Sequence, residues 1–389
     1  MKNYFKTIFF TTVILLQSLL GSTQTTAIPS FGTDKTLDIA TWNVQLFPKN
    51  GQSTIDSLSA IIQALSLDLI AFQEINDTNS FKQLASNLPN YTPIFASERY
   101  RGLAYLYNSE VIEVNNIYEI YTESMYWNPL PRSPLVLDIT YNGERIVFIN
   151  NHFKCCGDDI LDTSNIWDEE YRRLRASNLL KSYIDSNLKE TNVIILGDLN
   201  DDIAEPEPNN VFISFLNDSL NYLFADMDIA KGPSTAWSYP SWPSHIDHIL
   251  LTKKLISVFR SPESHIETLK LETYFNDSWQ AYHALISDHR PVALRLNLAQ
   301  NNSAINLPKT NNISMYPNPA SHAIHIVFEQ ISVNQIQLCN ASGKVIYSAQ
   351  IASNNHEHAL PLTNYPSGTY WIRLKNNKDT LYTKKIIVQ

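Results

Sequence analysis

The sequence has few cysteines, few glycines and, beyond its first segment, no long apolar run. Three cysteines, Cys155, Cys156 and Cys339, are too few for a disulfide framework. Ten glycines against 19 prolines exclude collagen-like repeats and Gly-rich linker chains. Positive charge is also short: 29 Lys and Arg face 38 Asp and Glu, a net of −9. This excludes a uniformly basic nucleic-acid coat protein, but not an enzyme that holds metal with carboxylates. No stretch after residue 27 is long and apolar enough to span a bilayer, so stable membrane insertion is not expected. What is present is a globular composition, 44% apolar and 17% charged. At roughly 150 residues per domain, a chain of 389 residues predicts two or three domains.

Residues 1–27 read as a secretory signal peptide. Lys2 and Lys6 precede the run Ile8–Leu20, which is apolar except for Thr11, Thr12, Gln17 and Ser18. Small and polar residues follow to Ala27, the pattern of a cleaved leader. In the oxidising space beyond, Cys155 and Cys156 could form a strained vicinal bridge or stay as two free thiols, because neighbouring Cα atoms are only about 3.8 Å apart. Cys339 is expected as a small buried residue in a strand.

From residue 28 to 298 the chain alternates short apolar runs with helical patterns. TLDIATW, LDLIAFQE, RIVFINNH, NVIILGD, HIDHILL and PVALRL are strand-like. Ile55, Leu58, Ile61, Ile62 and Leu65 recur at helical spacing, as do Ala176, Leu179, Leu180, Tyr183 and Ile184. This predicts a mixed α/β domain with a sizeable core. Residues 299–313 are polar, rich in Asn and unpatterned, and read as a linker. Over 314–389 the period becomes two: Ile324, Ile326 and Phe328 alternate, as do Tyr370, Ile372 and Leu374. That pattern predicts a small all-β sandwich. Charge splits as well, with six Lys/Arg and three Asp/Glu in the tail, and 20 against 35, a net of −15, in the large domain.

Each apolar strand of the large domain stops at a polar cluster. The endings are Asn43, Glu74, Asn150 with His152 and Lys154, Asp198 with Asn200, Asp247, and Asp288 with His289. One such ending is ordinary turn chemistry; six in one domain form a constellation. Carboxylate and amide oxygens suit a hard cation, Mg²⁺ or else Mn²⁺ or Ca²⁺, in one or two copies. A metal carboxylate, a water-activating acid and a His–Asp pair are the parts needed for attack on phosphorus.

In that order, WNVQ, QE, N-x-H, GDLN, I-D-x-I and SDH resemble the endonuclease/exonuclease/phosphatase superfamily. Its members include deoxyribonuclease I, repair nucleases, sphingomyelinases and inositol phosphatases. The resemblance implies a four-layer α/β/β/α sandwich, two sheets face to face with helices outside. It implies Glu74 as the principal metal carboxylate, with Asn43 beside it and Asp288 near the metal. Asp198 would orient or activate the attacking water, and Asn200 would position the phosphate. Asp247 and His289 would be the partnered pair at the phosphate, and His152 the second histidine. Asn150, Lys154 and Arg101 are candidate substrate contacts.

The tail has a resemblance of its own. MYPNPA, ASGKVI, PSGTYWIRL and TKKIIV are similar to the type A sorting domain of the bacterial type IX (Por) secretion system. This implies export through periplasm and outer membrane to release or surface attachment, with the secretion machinery as partner.

Other readings of these residues carry less. DLNDD begins like a calcium loop, but its sixth position is Ile203 and its twelfth Asn209. Adjacent Cys155 and Cys156 do not match zinc-ligand spacing. Arg172, Arg173 and Arg175 are expected on an exposed helix face, and Trp237 and Trp242 as packing under a Pro-rich loop. The expected protein is a secreted metal-dependent phosphodiesterase, an endonuclease on DNA or RNA. The alternatives are a sphingomyelinase-like or inositol phosphatase-like phosphoesterase and, in another class, a non-catalytic surface-binding module. The oligomeric state is not legible.

Overall fold

The computed structural model describes residues 28–95, 102–276, 278–298, 313–328, 333–340, 344–351, 357–376 and 379–389. The expected signal segment, Arg101 and residues 299–312 lie outside the described residues. Two units are distinguished, one ending at Asn297 and one starting at Leu298.

In the first unit the chain runs β1 (Leu37–Phe47), α1 (Gln52–Leu65), β2 (Leu69–Ile75), α2 (Thr78–Ser86), β3 (Tyr91–Phe95) and β4 (Gly102–Asn108). It continues with β5 (Ile112–Glu119), β6 (Leu135–Tyr141), β7 (Glu144–His152), α3 (Glu169–Asn187) and β8 (Asn192–Asp198). Then come β9 (Tyr222–Phe224), β10 (Asp247–Thr252), β11 (His265–Thr268) and β12 (Val292–Leu296). Two six-stranded sheets result, in the orders β11-β12-β1-β2-β4-β3 and β5-β6-β7-β8-β10-β9.

The apolar period decides which side each element covers. On α1, Ile55, Leu58, Ile62 and Leu65 form one buried stripe against Ala40, Trp42, Ile70 and Phe72 of the first sheet. The helix stops at Ser66, which takes a left-handed conformation at φ 54°. On α3, Ala176, Leu180 and Ile184 cover Val147, Ile149, Val193 and Ile195 of the second sheet. Its start is fixed by Asp168, whose side chain accepts from the Tyr171 N–H, with Glu169 and Glu170 favourably placed in the first turn. The inner faces then meet: β1, β2, β4 and β12 lie against β7, β8 and β10. Buried side-chain bonds cross between the sheets, as from Tyr105 Oη to the Leu135 carbonyl at 2.9 Å. The outcome is the expected four-layer sandwich. Each fully buried large apolar side chain such as Trp42 or Phe148 contributes about 1.5–3 kcal/mol.

The second unit is built from β13 (Ile313–Tyr316), β14 (Ala323–Phe328), β15 (Gln335–Cys339), β16 (Val345–Gln350), β17 (Glu357–Pro361), β18 (Gly368–Asn376) and β19 (Asp379–Val388). They form a three-stranded sheet, β13-β14-β17, and a four-stranded one, β16-β15-β18-β19. Ile324, Ile326, Ile336, Leu338, Ile372 and Leu374 fill one core between them, as their alternation predicts. Cys339 is buried at the end of β15.

Candidate active site

Strand alternation aims the polar endings inward. Val147 and Ile149 face α3, so Phe148, Asn150 and His152 face the opposite sheet. By the same period Ile194, Leu196 and Asp198 point inward from β8, and Thr41 and Asn43 from β1. Register then aligns the ends. His152 lies opposite Asp198 in the parallel β7–β8 pair, and Asp198 lies opposite Asp247 in the antiparallel β8–β10 pair. Gly197 makes this alignment possible. Its φ is +147°, and an added Cβ would lie 2.0 Å from the Asn151 carbonyl oxygen.

Asp198 sits at the centre, 2% exposed. Its Oδ2 accepts from Asn43 Nδ2 at 2.9 Å, and lies 3.5 Å from His152 Nε2 and 3.8 Å from His289 Nε2. The same Asn43 nitrogen donates to Glu74 Oε1 at 3.1 Å, while the Leu46 N–H donates to Glu74 Oε2 at 2.9 Å. His289 Nδ1 and Asp247 Oδ2 are 2.8 Å apart. Ser287 secures the turn before β12, donating to the Asn43 carbonyl at 2.6 Å and accepting from the His289 N–H at 3.0 Å. Asp288 lies 3.9 Å from His289 Nε2 and accepts from Gln45 Nε2 at 2.9 Å. The Asn200 N–H donates to Asp198 Oδ1 at 3.2 Å. Gln45, Leu46, Glu74 and Asn200 all take φ between 34° and 63°, a strained region for non-glycine residues at about 1–3 kcal/mol each.

The electrostatics follow from burial among like charges. Burial lifts the Asp198 carboxyl above its ordinary range; Asp247 and Glu74 add to this, against His289 and the Asn43 bond. Burial alone would depress His289, but Asp247, Asp198 and Asp288 raise it to about 10. His152 is driven well down by burial, with Arg132 and His289 adding to the effect. A neutral and a protonated imidazole therefore flank one carboxylate. Above them opens a cleft of about 870 Å³, lined by Gln45, Leu46, Glu74, His152, Asp198, Asn200, Tyr239, Asp288 and His289 among others. Trp242, 79% exposed, and Leu46, 58% exposed, stand at its mouth.

A model of the Endonuclease/Exonuclease/phosphatase family matches residues 40–289. The chain belongs to that family. A model of the secretion system C-terminal sorting domain matches residues 314–389. The tail is thus a type IX sorting domain, which directs the protein to the cell surface or the extracellular space. Among solved structures, D. rerio TDP2 complexed with a single-strand DNA product is 15% identical over 68% of this chain and 99% of its own, at TM-score 0.50. The human nocturnin catalytic domain with bound sulfate is 16% identical over 67% of this chain and 94% of its own, at TM-score 0.48. Ulvan lyase NLR42 of Nonlabens ulvanivorans is 27% identical over 92 residues, which is 24% of this chain and 17% of that protein. This chain therefore spans under a fifth of that curated relative. Members of the family are typically hydrolytic phosphoesterases that depend on a divalent metal.

The residues here fit such a metal. Glu74, Asp198, Asp247 and Asp288 gather hard oxygen donors in one place, and Asp247 Oδ1 is buried with no hydrogen-bond partner. Asn43 is turned otherwise: its Nδ2 ties Glu74 to Asp198, and its Oδ1 accepts from the Gln45 N–H at 2.9 Å.

Several expected contacts fall elsewhere. Asn150, expected to bind substrate, is fully buried between the sheets and has no free group to offer. It donates to the carbonyls of Phe72 and Ala104, each at 3.0 Å, and accepts from Gln73 Nε2 at 2.8 Å. Lys154 bends back to the Cys155 carbonyl and lies 3.6 Å from Glu169. Arg101 lies outside the described residues. Arg173 is not on an exposed face but buried, donating to Asp201 at 2.6 Å, Glu170 at 3.1 Å and the carbonyls of Lys154 and Cys156. Trp237 is half-buried and donates to the Ile229 carbonyl at 3.1 Å, whereas Trp242 is not packed at all. Cys155 and Cys156 are exposed free thiols.

Sequence reasoning passed over Gln45, Lys49, Tyr239 and Ser287. Lys49 donates to Gln45 Oε1 and to the His283 carbonyl. Burial lowers its pKa, against the pull of Asp288 and Glu74. The Tyr239 ring lies 4.8 Å from the His289 ring, centroid to centroid. Gln45 and Ser287 were visible within WNVQ and SDH; Lys49 and Tyr239 lie on loops without a pattern.

Proposed function

We propose that the protein is a secreted metal-dependent phosphodiesterase that cleaves nucleic acid as an endonuclease. The observation that carries this reading is Asp198, buried between neutral His152 and protonated His289 at the floor of an open cleft. Such a carboxylate can orient a water for in-line attack on phosphorus, as hydrogen bonds from Asn43 Nδ2 to its Oδ2 and from the Asn200 N–H to its Oδ1 fix its direction. His289, held by Asp247, places a positive donor where the phosphate oxygens would lie. Neutral His152 is suited to accept or relay a proton on the leaving-group side. Asn200, with its backbone fixed on Asp198 and its Nδ2 donating to the Phe153 carbonyl at 3.3 Å, lines the cleft wall, where the second amide hydrogen can meet the phosphate. A divalent cation held by Glu74 and Asp288, Mg²⁺ or Mn²⁺, would supply charge stabilisation of the phosphate oxygens.

An extended polymer fits the open cleft, and exposed Trp242 at its mouth offers a face on which a base can stack. Plasmid cleavage by the purified mature chain, with and without Asp198→Asn, is the direct test. The substitution should lower turnover by at least about 100-fold, the scale of a lost acid–base or orienting group. Unchanged cleavage by Asp198→Asn would remove the proposed centre.

A further inference from the structure

The loop that joins β7 to α3 holds a second set of carboxylates that the proposed reaction does not use. Asp158, Asp168 and Glu170 each offer one oxygen, and the three lie within 4.8 Å of one another. That span is about twice a calcium–oxygen bond of roughly 2.4 Å, so one ion can reach all three.

Glu170 gives the second, independent observation. It is 1% exposed, yet only Oε1 is satisfied, accepting from the Asp159 N–H at 3.0 Å and from Arg173 Nη2 at 3.1 Å. Oε2 is buried and has no hydrogen-bond partner. A buried carboxylate oxygen left bare is costly, since a charged group loses water without replacement. The neighbouring cations leave Oε2 without a bond: Arg173 pairs with Glu170 through Oε1 and with Asp201, and Lys154 lies 3.6 Å from Glu169.

The loop backbone is shaped around this carboxylate. Gly157 has φ +126°, and an added Cβ would meet Glu170 Oε1 at 1.9 Å and Oε2 at 2.7 Å. On the other side, Asp168 Oδ1 accepts from the N–H groups of Tyr171 and Asp162, and Asp158 Oδ1 accepts from the Ile160 N–H. Asp158 is exposed and Asp168 half-buried, so water can complete a shell of six to eight oxygens, the number calcium takes. An irregular loop with hard ligands of uneven burial suits Ca²⁺ better than the strict octahedron of Mg²⁺.

We propose that Asp158, Asp168 and Glu170 form a structural calcium site. The same loop supplies Cys155, Cys156, Gly157 and Asp159 to the cleft wall, so the ion fixes that wall without taking part in chemistry.

Terbium luminescence tests this, because Trp167, 66% exposed, precedes Asp168 and can sensitise a bound lanthanide. The full chain carrying Glu74→Gln is stripped with EDTA and titrated with Tb³⁺, then with Ca²⁺ as competitor. Tryptophan-sensitised emission should appear and be displaced by Ca²⁺, with an affinity on the order of 10⁻⁴–10⁻³ M as for extracellular calcium modules. Adding Asp158→Asn, a substitution at an exposed position, should weaken binding at least about tenfold, as should Asp168→Asn, which keeps the helix cap. Emission that is absent, or unchanged by both substitutions, would overturn the site. In limited proteolysis of the Glu74→Gln chain, Ca²⁺ should protect residues 158–168 from cleavage, and Asp158→Asn should abolish that protection. Equal cleavage with and without Ca²⁺ would equally overturn it.

Discussion

Asp247 Oδ2 lies 2.8 Å from His289 Nδ1, and both groups are buried. Against the pull of burial, Asp247 and then Asp198 hold His289 protonated up to about pH 10. With its folded-state pKa raised that far above the ordinary value of a histidine, the charged form is present at neutral pH and is lost as pH rises through the raised value. Activity that needs imidazolium should therefore fall on the alkaline side, and Asp247→Asn should move the fall to lower pH. His289→Ala should cost at least about 100-fold in kcat/KM. A pH–rate profile of both variants checks this; an acid-side loss that Asp247→Asn leaves in place would oppose it.

The proposed metal role of Glu74 is tested by chelation and substitution. Hydrolysis should stop with EDTA and return with Mg²⁺ or Mn²⁺. Glu74→Gln keeps shape while removing one ligand charge, so it should raise the Mg²⁺ concentration needed for half activity by at least about tenfold. Full activity of Glu74→Gln at low Mg²⁺ would take Glu74 out of the metal site.

Trp242 separates substrate contact from stability. Because it is 79% exposed, Trp242→Ala should leave Tm unchanged. If bases stack on it, KM for single-stranded DNA should rise in proportion to about 1–3 kcal/mol of lost stacking. Steady-state kinetics beside a melting curve gives the answer, and a lowered Tm with unchanged KM would return Trp242 to a packing role.

Behind the cleft, Asp226 Oδ2 lies 3.0 Å from His245 Nε2 and 2.5 Å from His248 Nδ1, all three buried. Burial opposes ionisation here, but the two histidines hold the Asp226 carboxyl far below the usual range, and Asp226 in turn raises His248. The Asp226 contribution is present above about pH 3.9 and is lost as pH falls towards its folded value. The His248 contribution is present below about pH 6.5 and is lost as pH rises through its raised value. Asp226→Asn should cost about 3–5 kcal/mol, the scale for breaking a buried pair. Chemical denaturation across pH reads both limbs. A loss under about 1 kcal/mol at pH 5.5 would show that the pair contributes little.

The strands that carry the site were legible because each is an apolar run ending in a polar cluster. TWNVQ, AFQE, INNH and ILGD end where β1, β2, β7 and β8 deliver side chains to the cleft, and HIDHIL begins there, since antiparallel β10 starts at Asp247 opposite Asp198. β5 was not legible: it is partly exposed along its length, and its Asn115–Asn116 pair breaks the alternation. Asn150 misled because sequence gives the face of a strand but not the depth along it. Two residues before His152 on the same face, it sits below the cleft floor, where the sheets close and a buried amide must spend its bonds on backbone. Arg173 misled for the converse reason. A helical arginine normally reaches solvent, but here the loop before α3 supplies the carbonyls of Lys154 and Cys156, and the segment after β8 supplies the Asp201 carboxylate, partners that no local pattern announces.

The reaction proposed for this site is hydrolysis of phosphodiesters in nucleic acid. A substrate panel tests it most directly: plasmid DNA, RNA, sphingomyelin, phosphoinositides and a simple phosphomonoester, each with Mg²⁺ and purified mature protein. DNA or RNA should be cleaved internally, sphingomyelin and the monoester left intact, and the cleavage lost in His289→Ala. With the large domain at −15, that cleavage should fall only shallowly with salt, as expected for few phosphate contacts. Hydrolysis of lipid or monoester, with every nucleic acid left whole, would contradict the account.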